Sequence, residues 1–247
     1  MTTLVIIPTY NERESLPRQL EDVFAHAPQV DVLVVDDNSP DGTGEWADAR
    51  AAADPQVHVL HRPGKQGLGV AYRAGFAWAI ERGYTTVVEM DADGSHRAAH
   101  LPQLLAQAGE GVLVIGSRWV KGGAVTNWPL HRRLLSMGAN TYVRLMLGIG
   151  VKDATAGYRA YAVSTLCQIP RDEVESQGYC FQIDMTLRAL RAGNRVVEVP
   201  IDFLERDRGA SKMSLGIIRE ALVKVTAWGL QRLVGRGPAA HLRGAGR

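Results

Sequence analysis

Strand and helix signals alternate along the first half of this 247-residue chain, and no other feature constrains its fold as much. Short runs rich in Val, Ile and Leu occur at 3–7, 31–35, 57–60, 85–90 and 112–116. Helical stretches lie between them, near 14–26, 43–53, 68–82 and 98–108. Strands that alternate with helices form a parallel sheet covered on both faces. We therefore predict an α/β fold with a mainly parallel central sheet flanked by helices.

The second half of the chain is less regular. A loop rich in Gly, Lys and Trp precedes a predicted helix at about 130–147, and a further helix (178–192), a strand (195–199) and an extended segment (201–204) follow. The last predicted helix, at about 213–234, is amphipathic. Its apolar face, near helical spacing, comprises Leu215, Ile218, Leu222, Val225 and Leu233, with Arg219, Lys224 and Arg232 among them. Because no repeat or linker composition divides the chain, we predict one domain over 1–234 and a disordered basic tail over 235–247.

Polar clusters follow three of the predicted strands. They are Pro8-Thr9-Tyr10-Asn11-Glu12, Asp36-Asp37-Asn38-Ser39-Pro40-Asp41-Gly42-Thr43 and Asp91-Ala92-Asp93. Asp, Asn, Pro and Gly are also ordinary turn residues, so the second cluster taken alone also fits a plain turn. Ligands of open parallel sheets, however, bind at the carboxyl ends of the strands, where all three clusters fall. We therefore expect the three clusters to form one site.

Asp91 and Asp93 indicate the chemistry of that site. Two carboxylates one residue apart at a strand end make an oxygen-rich site. Mg2+ or Mn2+ on a diphosphate suits such a site, because a small divalent ion takes few protein ligands and completes its shell with phosphate and water. The common nucleotide motifs are absent, since Tyr72 replaces the third glycine of a dinucleotide fingerprint after Gly67-Leu68-Gly69, and no Ser or Thr follows Lys65.

Composition limits the partners and the compartment. Cys167 and Cys180 are the two cysteines, too few for a disulfide framework, so we expect a reducing cytoplasm. We expect neither a signal peptide nor a membrane-spanning segment. Residues 205–247 carry nine Lys and Arg against three Asp and Glu. This basic end predicts an anionic partner; because aromatic residues are not interleaved with the basic ones, we favour a membrane surface over nucleic acid.

Seven motifs in order resemble a known family. They are the first two clusters above, Lys65-Gln66-Gly67-Leu68-Gly69, Met90-Asp91-Ala92-Asp93-Gly94-Ser95-His96, Gly116-Ser117-Arg118, Gly178-Tyr179-Cys180-Phe181-Gln182 and Gly209-Ala210-Ser211-Lys212. The set resembles the dolichol-phosphate mannosyltransferases, or polyprenol-monophosphomannose synthases, of glycosyltransferase family 2, over roughly residues 3–230. The resemblance implies a GT-A fold. It also implies metal-dependent transfer of mannose, with inversion, from GDP-mannose to a polyprenyl phosphate, which gives a lipid-linked sugar donor.

The resemblance also implies site residues. Asp91 and Asp93 would bind Mg2+ or Mn2+, and Arg118, Arg206 and Lys212 would neutralise the diphosphate leaving group. The acceptor phosphate would meet Arg132, with Arg133 beside it, and Arg159. The nucleotide-sugar wall would comprise the metal and leaving-group residues together with Pro8, Tyr10, Glu12, Asp36, Asp37, Lys65 and Ala92. We interpret the Gly209 to Lys212 segment as a loop that closes over the diphosphate.

The acceptor's own chemistry bears on catalysis. A phosphate monoester has a second pKa of about 6 and is largely an oxyanion at neutral pH, so we predict no obligatory general base. Asp184 is the alternative base. The site must instead hold an anionic nucleophile in line beside an anionic donor.

Several alternatives remain open at this point. A polyprenyl-phosphate glucosyltransferase that uses UDP-glucose would share nearly every motif, and a non-catalytic nucleotide-sugar-binding subunit could retain the fold. His96 and His100 lack the Glu of a metalloprotease motif, so we interpret His100 as structural. Trp119 and Trp128 either pack or touch lipid. We expect peripheral association with the cytoplasmic face of the membrane, either directly through the last helix or through an integral-membrane partner.

Overall fold

The computed structural model describes residues 2–169, 178–205 and 215–234. The described residues contain nine strands: β1 (Thr3–Thr9), β2 (Asp31–Asp36), β3 (Val57–His61), β4 (Thr86–Glu89), β5 (Val112–Ser117), β6 (Ala124–Thr126), β7 (Arg159–Ala162), β8 (Arg195–Pro200) and β9 (Asp202–Leu204). Seven of them form the central sheet in the order β3-β2-β1-β4-β7-β5-β8, and β6 pairs with β9. Within the central sheet only β7 runs antiparallel to its neighbours. The predicted α/β fold with a mainly parallel sheet is confirmed.

The described helices are α1 (Leu16–His26), α2 (Thr43–Ala53), α3 (Leu68–Glu81), α4 (Leu101–Gln107), α5 (Leu130–Leu147), α6 (Val163–Gln168), α7 (Gly178–Arg191) and α8 (Leu215–Leu233). Most lie within a few residues of the predicted ranges. The predicted helix at 98–108 is instead a 3-10 turn, Ala98–His100, followed by α4. Proline near the start of α4 favours this break, since proline is tolerated in the first turn but not inside a helix.

Two apolar layers cover the central sheet. In β1, Leu4 and Ile6 face one layer while Val5 and Ile7 face the other, and all four are fully buried. This explains why the strands read as continuous apolar runs rather than as alternating patterns. The layers are close-packed: a β-carbon added to Gly75 of α3 would lie 2.8 Å from Cγ2 of Ile6.

The sequence did not predict β6, β7 and α6. Each is six residues or shorter, which is too short to show the periodicity that reveals longer elements. In addition, β7 begins with a buried arginine, Arg159, so it does not read as an apolar run.

Helix α8 packs against α5 and α7. Val225 is buried in the core, and a hydrogen bond of 2.6 Å joins the hydroxyls of Thr226 and Tyr142 of α5. Leu222 and Leu233, predicted on the same apolar face, are 49% and 73% exposed. The amphipathic helix is therefore present, but this part of its apolar surface is not covered by its own domain. None of the described helices combines the length and the apolar character that crossing a bilayer requires. The predicted tail, 235–247, lies outside the described residues.

Candidate active site

The carboxyl ends of β1 and β2 meet as predicted, and hydrogen bonds tie their turns together. The hydroxyl of Thr9 donates to Asp36 Oδ1 at 3.0 Å, and the Asp36 carboxylate also accepts from the backbone N–H and the hydroxyl of Ser39. The N–H of Glu12 donates to the hydroxyl of Thr43 at 3.0 Å. These bonds join the two turns into one wall. The Asp36 carboxylate serves as a hydrogen-bond acceptor within that wall.

Two further contacts extend the wall. Arg62, just after β3, donates to Asp37 Oδ1 at 2.6 Å, and both side chains are buried. Burial raises the pKa of Asp37, although Arg62 lowers it. The ammonium group of Lys65 lies 4.5 Å from the centre of the Tyr10 ring, a cation–π contact. The structure thus brings the predicted residues Tyr10, Asp37 and Lys65 to one edge of the sheet and adds Arg62.

Asp91 and Asp93 follow β4 at the same edge, and a histidine shapes their turn. The N–H of Asp91 donates to Nδ1 of His96 at 2.9 Å, and the N–H of Ser95 donates to Asp93 Oδ1 at 3.0 Å. His96 is buried, and its ring stacks on that of Tyr158 at 5.0 Å. Since His96 is buried and its Nδ1 accepts the N–H of Asp91, His96 positions the acidic turn.

The acidic turn fits a divalent ion that also binds a substrate. Asp91 and Asp93 are partly exposed, and no cluster of three His, Cys, Asp or Glu suited to a metal occurs among the described residues. Two carboxylates with phosphate and water as the remaining ligands is the arrangement that Mg2+ prefers. Asp91 and Asp93 would hold the ion, and the donor's diphosphate would complete its shell.

A buried polar layer lies beneath the acidic turn. Glu89, the last residue of β4, accepts a hydrogen bond from the side-chain amide of Gln182 at 2.7 Å. Burial raises the pKa of Glu89 to about 7, against the opposing effect of Arg159. Burial also raises the pKa of Tyr72, and the nearby carboxylates add to that effect.

Arg159 belongs to this layer rather than to an open binding site. It is fully buried, and its guanidinium donates to the carbonyl oxygens of Ala154, Ala156 and Gln182 and to the hydroxyl of Thr186, at 2.7–2.9 Å. These bonds tie β7 to α7. The structure therefore does not present Arg159 to an acceptor phosphate.

Arg118, which follows β5, is locked by a buried carboxylate. Asp153 is completely buried and accepts three bonds from Arg118: from the backbone N at 2.9 Å, from Nε at 2.8 Å and from Nη2 at 2.6 Å. Asn140 of α5 adds a bond to the same carboxylate at 3.3 Å. Arg118 therefore has a fixed position, and Asp153, which sequence reasoning missed, determines it.

Trp128 links Arg118 to Arg132 at the start of α5. The guanidinium carbons lie 5.5 Å and 4.1 Å from the Trp128 ring centre. Arg132 also donates to Glu205 Oε1 at 2.6 Å. The structure thus places two of the predicted phosphate-binding arginines on one aromatic ring.

Phe203 connects this arginine pair to the acidic turn. Its ring centre lies 5.5 Å from that of His96, which holds Asp91, and 5.5 Å from the Arg118 guanidinium carbon. About one aromatic ring therefore separates the two halves of the site.

A cavity of about 420 Å3 leads from the arginine pair between α5 and α8. Arg118, Trp128 and Arg132 line one part of it. The rest is mostly apolar and includes Leu134, Leu135, Ala139, Val143, Ile183, Leu222 and Val225. A cavity with cationic groups on one side and apolar walls on the other suits an amphiphile with an anionic head.

The remaining predicted residues have four outcomes. Arg206 and Lys212 lie outside the described residues. Arg133 is exposed beside Arg132. Asp184, the alternative base, is buried on α7 and accepts a bond from Arg188 at 2.8 Å. His100 is structural as predicted, since its Nε2 accepts the N–H of Asp202 at 3.0 Å. The sequence analysis missed Arg62, which follows the end of β3. The rule that ligands bind at the carboxyl ends of parallel strands could have identified it.

Comparison with known proteins identifies the family. The sequence model of the family described as "Glycosyl transferase family 2" matches residues 4–168. The chain belongs to glycosyltransferase family 2. This family 2 glycosyltransferase is 59% identical to the undecaprenyl-phosphate mannosyltransferase of Micrococcus luteus, over 93% of this chain and 95% of that protein. It is 58% identical to the polyprenol monophosphomannose synthase of Mycolicibacterium smegmatis, over 93% and 87% of the two chains. The resemblance predicted from the motifs is confirmed.

Solved structures of low sequence identity share the fold. Glucosyl-3-phosphoglycerate synthase from Mycobacterium tuberculosis, in complex with Mn2+, UDP-glucose and phosphoglyceric acid, aligns with a TM-score of 0.62 at 20% identity. The alignment covers 91% of this glycosyltransferase and 79% of that chain. Together with the family match, this similarity confirms the predicted GT-A fold.

Proposed function

We propose that this glycosyltransferase transfers mannose from GDP-mannose to a polyprenyl phosphate, with inversion at the anomeric carbon. The observation that carries the proposal is the cavity between α5 and α8, with Arg118 and Arg132 on one side and apolar walls on the other. A prenyl phosphate has the same division into an anionic head and an apolar chain. The names of the two bacterial relatives support mannose as the sugar and a polyprenyl phosphate as the acceptor.

The chain's own groups account for the proposed reaction. The donor lies along the wall formed by the turns after β1, β2 and β3, with its diphosphate beside Asp91 and Asp93. A divalent ion held there would neutralise the leaving diphosphate. Arg132 holds the acceptor phosphate, and Arg118, which stays paired with Asp153, lines the cavity beside it. The phosphate is already an oxyanion at neutral pH, so it attacks the anomeric carbon without a general base as the bond to the GDP leaving group breaks.

The exposed helix faces support peripheral membrane binding. Leu130, Leu134 and Leu145 of α5 are 59–71% exposed, and Val223 and Leu233 of α8 are 61% and 73% exposed. Large exposed apolar side chains grouped on neighbouring helices mark an interaction surface. Since the acceptor is a membrane lipid, we propose that this surface rests on the bilayer, so that the cavity receives the prenyl chain from it.

One assay tests donor, acceptor and metal together. Radiolabelled mannose in GDP-mannose should pass to a short-chain prenyl phosphate in the presence of Mg2+ or Mn2+, and EDTA should stop the transfer. Label taken from UDP-glucose instead would show the glucosyltransferase activity. If folded protein and membrane vesicles gave no product from either donor, the proposal would be wrong.

Arg132→Ala tests the acceptor end of the cavity. A hydrogen bond to a charged group contributes about 1.5–3 kcal/mol, so the acceptor KM should rise by roughly 10- to 150-fold while the donor KM changes little. Arg133→Ala is the matched control, because Arg133 is adjacent and exposed but does not line the cavity. Equal effects of the two substitutions would contradict the assignment of Arg132.

A further inference from the structure

Glu205 forms an ion pair with Arg132, the arginine assigned above to the acceptor phosphate. Its Oε1 lies 2.6 Å from Nη1 of Arg132. The backbone N–H of Glu205 donates to the carbonyl of Thr126 at 3.1 Å, which fixes the residue at the end of β9. The carboxylate is therefore an anion supplied by the chain itself, located at the cationic part of the cavity.

The two arginines of the cavity are held in different ways. Arg118 and Asp153 form a buried pair, with side chains 5% and 0% exposed. Arg132 and Glu205 form a partly open pair, at 22% and 33%. Partly exposed ion pairs contribute little net free energy and exchange readily with other ions, whereas breaking a buried pair is costly. The Arg132 pair is thus the one that an incoming anion can open.

Arg132 does not need Glu205 for its orientation. The guanidinium lies 4.1 Å from the centre of the Trp128 ring, within cation–π range, and its stem begins in the first turn of α5. A phosphate that binds Arg132 would meet the Glu205 carboxylate as a like charge, and the carboxylate would have to move away.

We propose that Glu205 is an intramolecular competitor of the acceptor phosphate, which holds Arg132 when the lipid is absent and is displaced when it binds. This inference rests on the proposed function, because it takes the ligand of Arg132 to be a prenyl phosphate. An internal competitor reduces the fraction of protein molecules whose site is free to bind, and it therefore lowers the affinity for every anion at that site by the same factor. The lipid product keeps one phosphate charge, so its affinity falls together with that of the substrate. The return of Glu205 to Arg132 thus assists product release.

The test is Glu205→Gln, which keeps the shape of the side chain and removes its charge. If the pair is worth what partly exposed pairs usually are, the KM for a ten-carbon prenyl phosphate should fall about two- to six-fold. The inhibition constant of the mannosylated product should fall by the same factor, while the KM for GDP-mannose stays unchanged. Glu205→Ala should act in the same direction.

Glu110→Gln is the matched control. It makes the same charge change at an exposed residue that precedes the amino end of β5, whereas the site lies at the carboxyl ends of the strands. All three constants should therefore stay unchanged. Melting temperatures should show that each variant is folded.

Three results would overturn the inference. An acceptor KM that is unchanged or higher in both Glu205 variants would show that the carboxylate positions Arg132 or is inert. An acceptor KM that falls without a parallel fall in the product constant would exclude simple competition. If the wild-type protein neither binds the ten-carbon prenyl phosphate, measured by tryptophan fluorescence, nor transfers to it, the proposed function fails and this inference fails with it.

Discussion

Asp153→Asn offers a quantitative test of how Arg118 is held beside the cavity between α5 and α8. The Asp153 carboxylate is fully buried and accepts three N–H bonds from Arg118, whose side chain is 5% exposed. An amide in its place loses the negative charge and turns an N–H2 group toward some of these donors. Breaking a buried ion pair by removing one partner costs about 3–5 kcal/mol of unfolding free energy.

That free energy corresponds to a large thermal shift. A protein of this size loses about 2–4 °C of Tm per kcal/mol, so Asp153→Asn should melt on the order of 6–20 °C lower. Urea unfolding gives the same quantity at constant temperature, provided that the m-value is unchanged. Asp48→Asn is the control: Asp48 is 57% exposed and pairs with His61, so its loss should change stability by less than about 1 kcal/mol.

A double variant separates stability from function. Arg118→Met with Asp153→Leu removes both charges, and replacing a buried ion pair by apolar side chains is often neutral or stabilising. The double variant should therefore recover much of the stability that Asp153→Asn loses. It should still bind the prenyl phosphate poorly, because a cationic group of the cavity is gone. If Asp153→Asn melted within about 2 °C of Asp48→Asn, or if the double variant were the less stable, our account of this pair would be wrong.

Three further predictions concern packing, pH and the membrane. Gly75→Ala should destabilise the protein by about 1–3 kcal/mol, because the new methyl would lie 2.8 Å from a β1 side chain. Gly138→Ala on α5, where a methyl would meet nothing within 4 Å, should be neutral or slightly stabilising. Equal Tm values for the two variants would refute this difference. Burial lowers the pKa of His100, so its neutral ring, which accepts a backbone N–H, stabilises the fold above about pH 6.5 and loses that contribution as the pH falls. In urea unfolding at pH 7.5 and pH 5, acidification should therefore lower the unfolding free energy of the wild type more than that of His100→Gln. Equal losses in the two proteins would contradict this role of His100. Replacing exposed Leu145 and Leu233 by Glu should weaken binding to anionic vesicles by at least about 10-fold in flotation while leaving GDP-mannose binding intact, and unchanged flotation would exclude this surface as the membrane contact.

Some features of the site could be predicted because they are encoded locally. Short runs of Val, Ile and Leu bounded by turn residues favour strands, and Asp, Asn and Gly at their ends favour turns. In a parallel sheet such turns must meet at one edge, so Asp36, Asp37, Asp91 and Asp93 could be assigned to one site before any contact was known.

The arginines show where this reasoning ends. Arg118, Arg132 and Arg159 look alike in the sequence, as three cations that the family resemblance assigns to phosphate groups. In the structure Arg159 ties β7 to α7, Arg118 is locked by Asp153, and Arg132 is held by an exchangeable carboxylate. Burial and partner decide which guanidinium can meet a ligand, and both depend on residues far away in the chain.

The sequence by itself determined the α/β layering, the strand-end clusters and the family, since these rest on local periodicity, turn chemistry and ordered motifs. Only the tertiary structure decided the cavity between α5 and α8, because its walls come from both helices. The contributing residues of α8 lie about 80 positions further along the chain than those of α5. The tertiary structure also placed Glu205 on Arg132, a contact between residues 73 positions apart. Such contacts follow from how helices pack on the finished sheet, and the spacing of residues along the chain does not specify that packing.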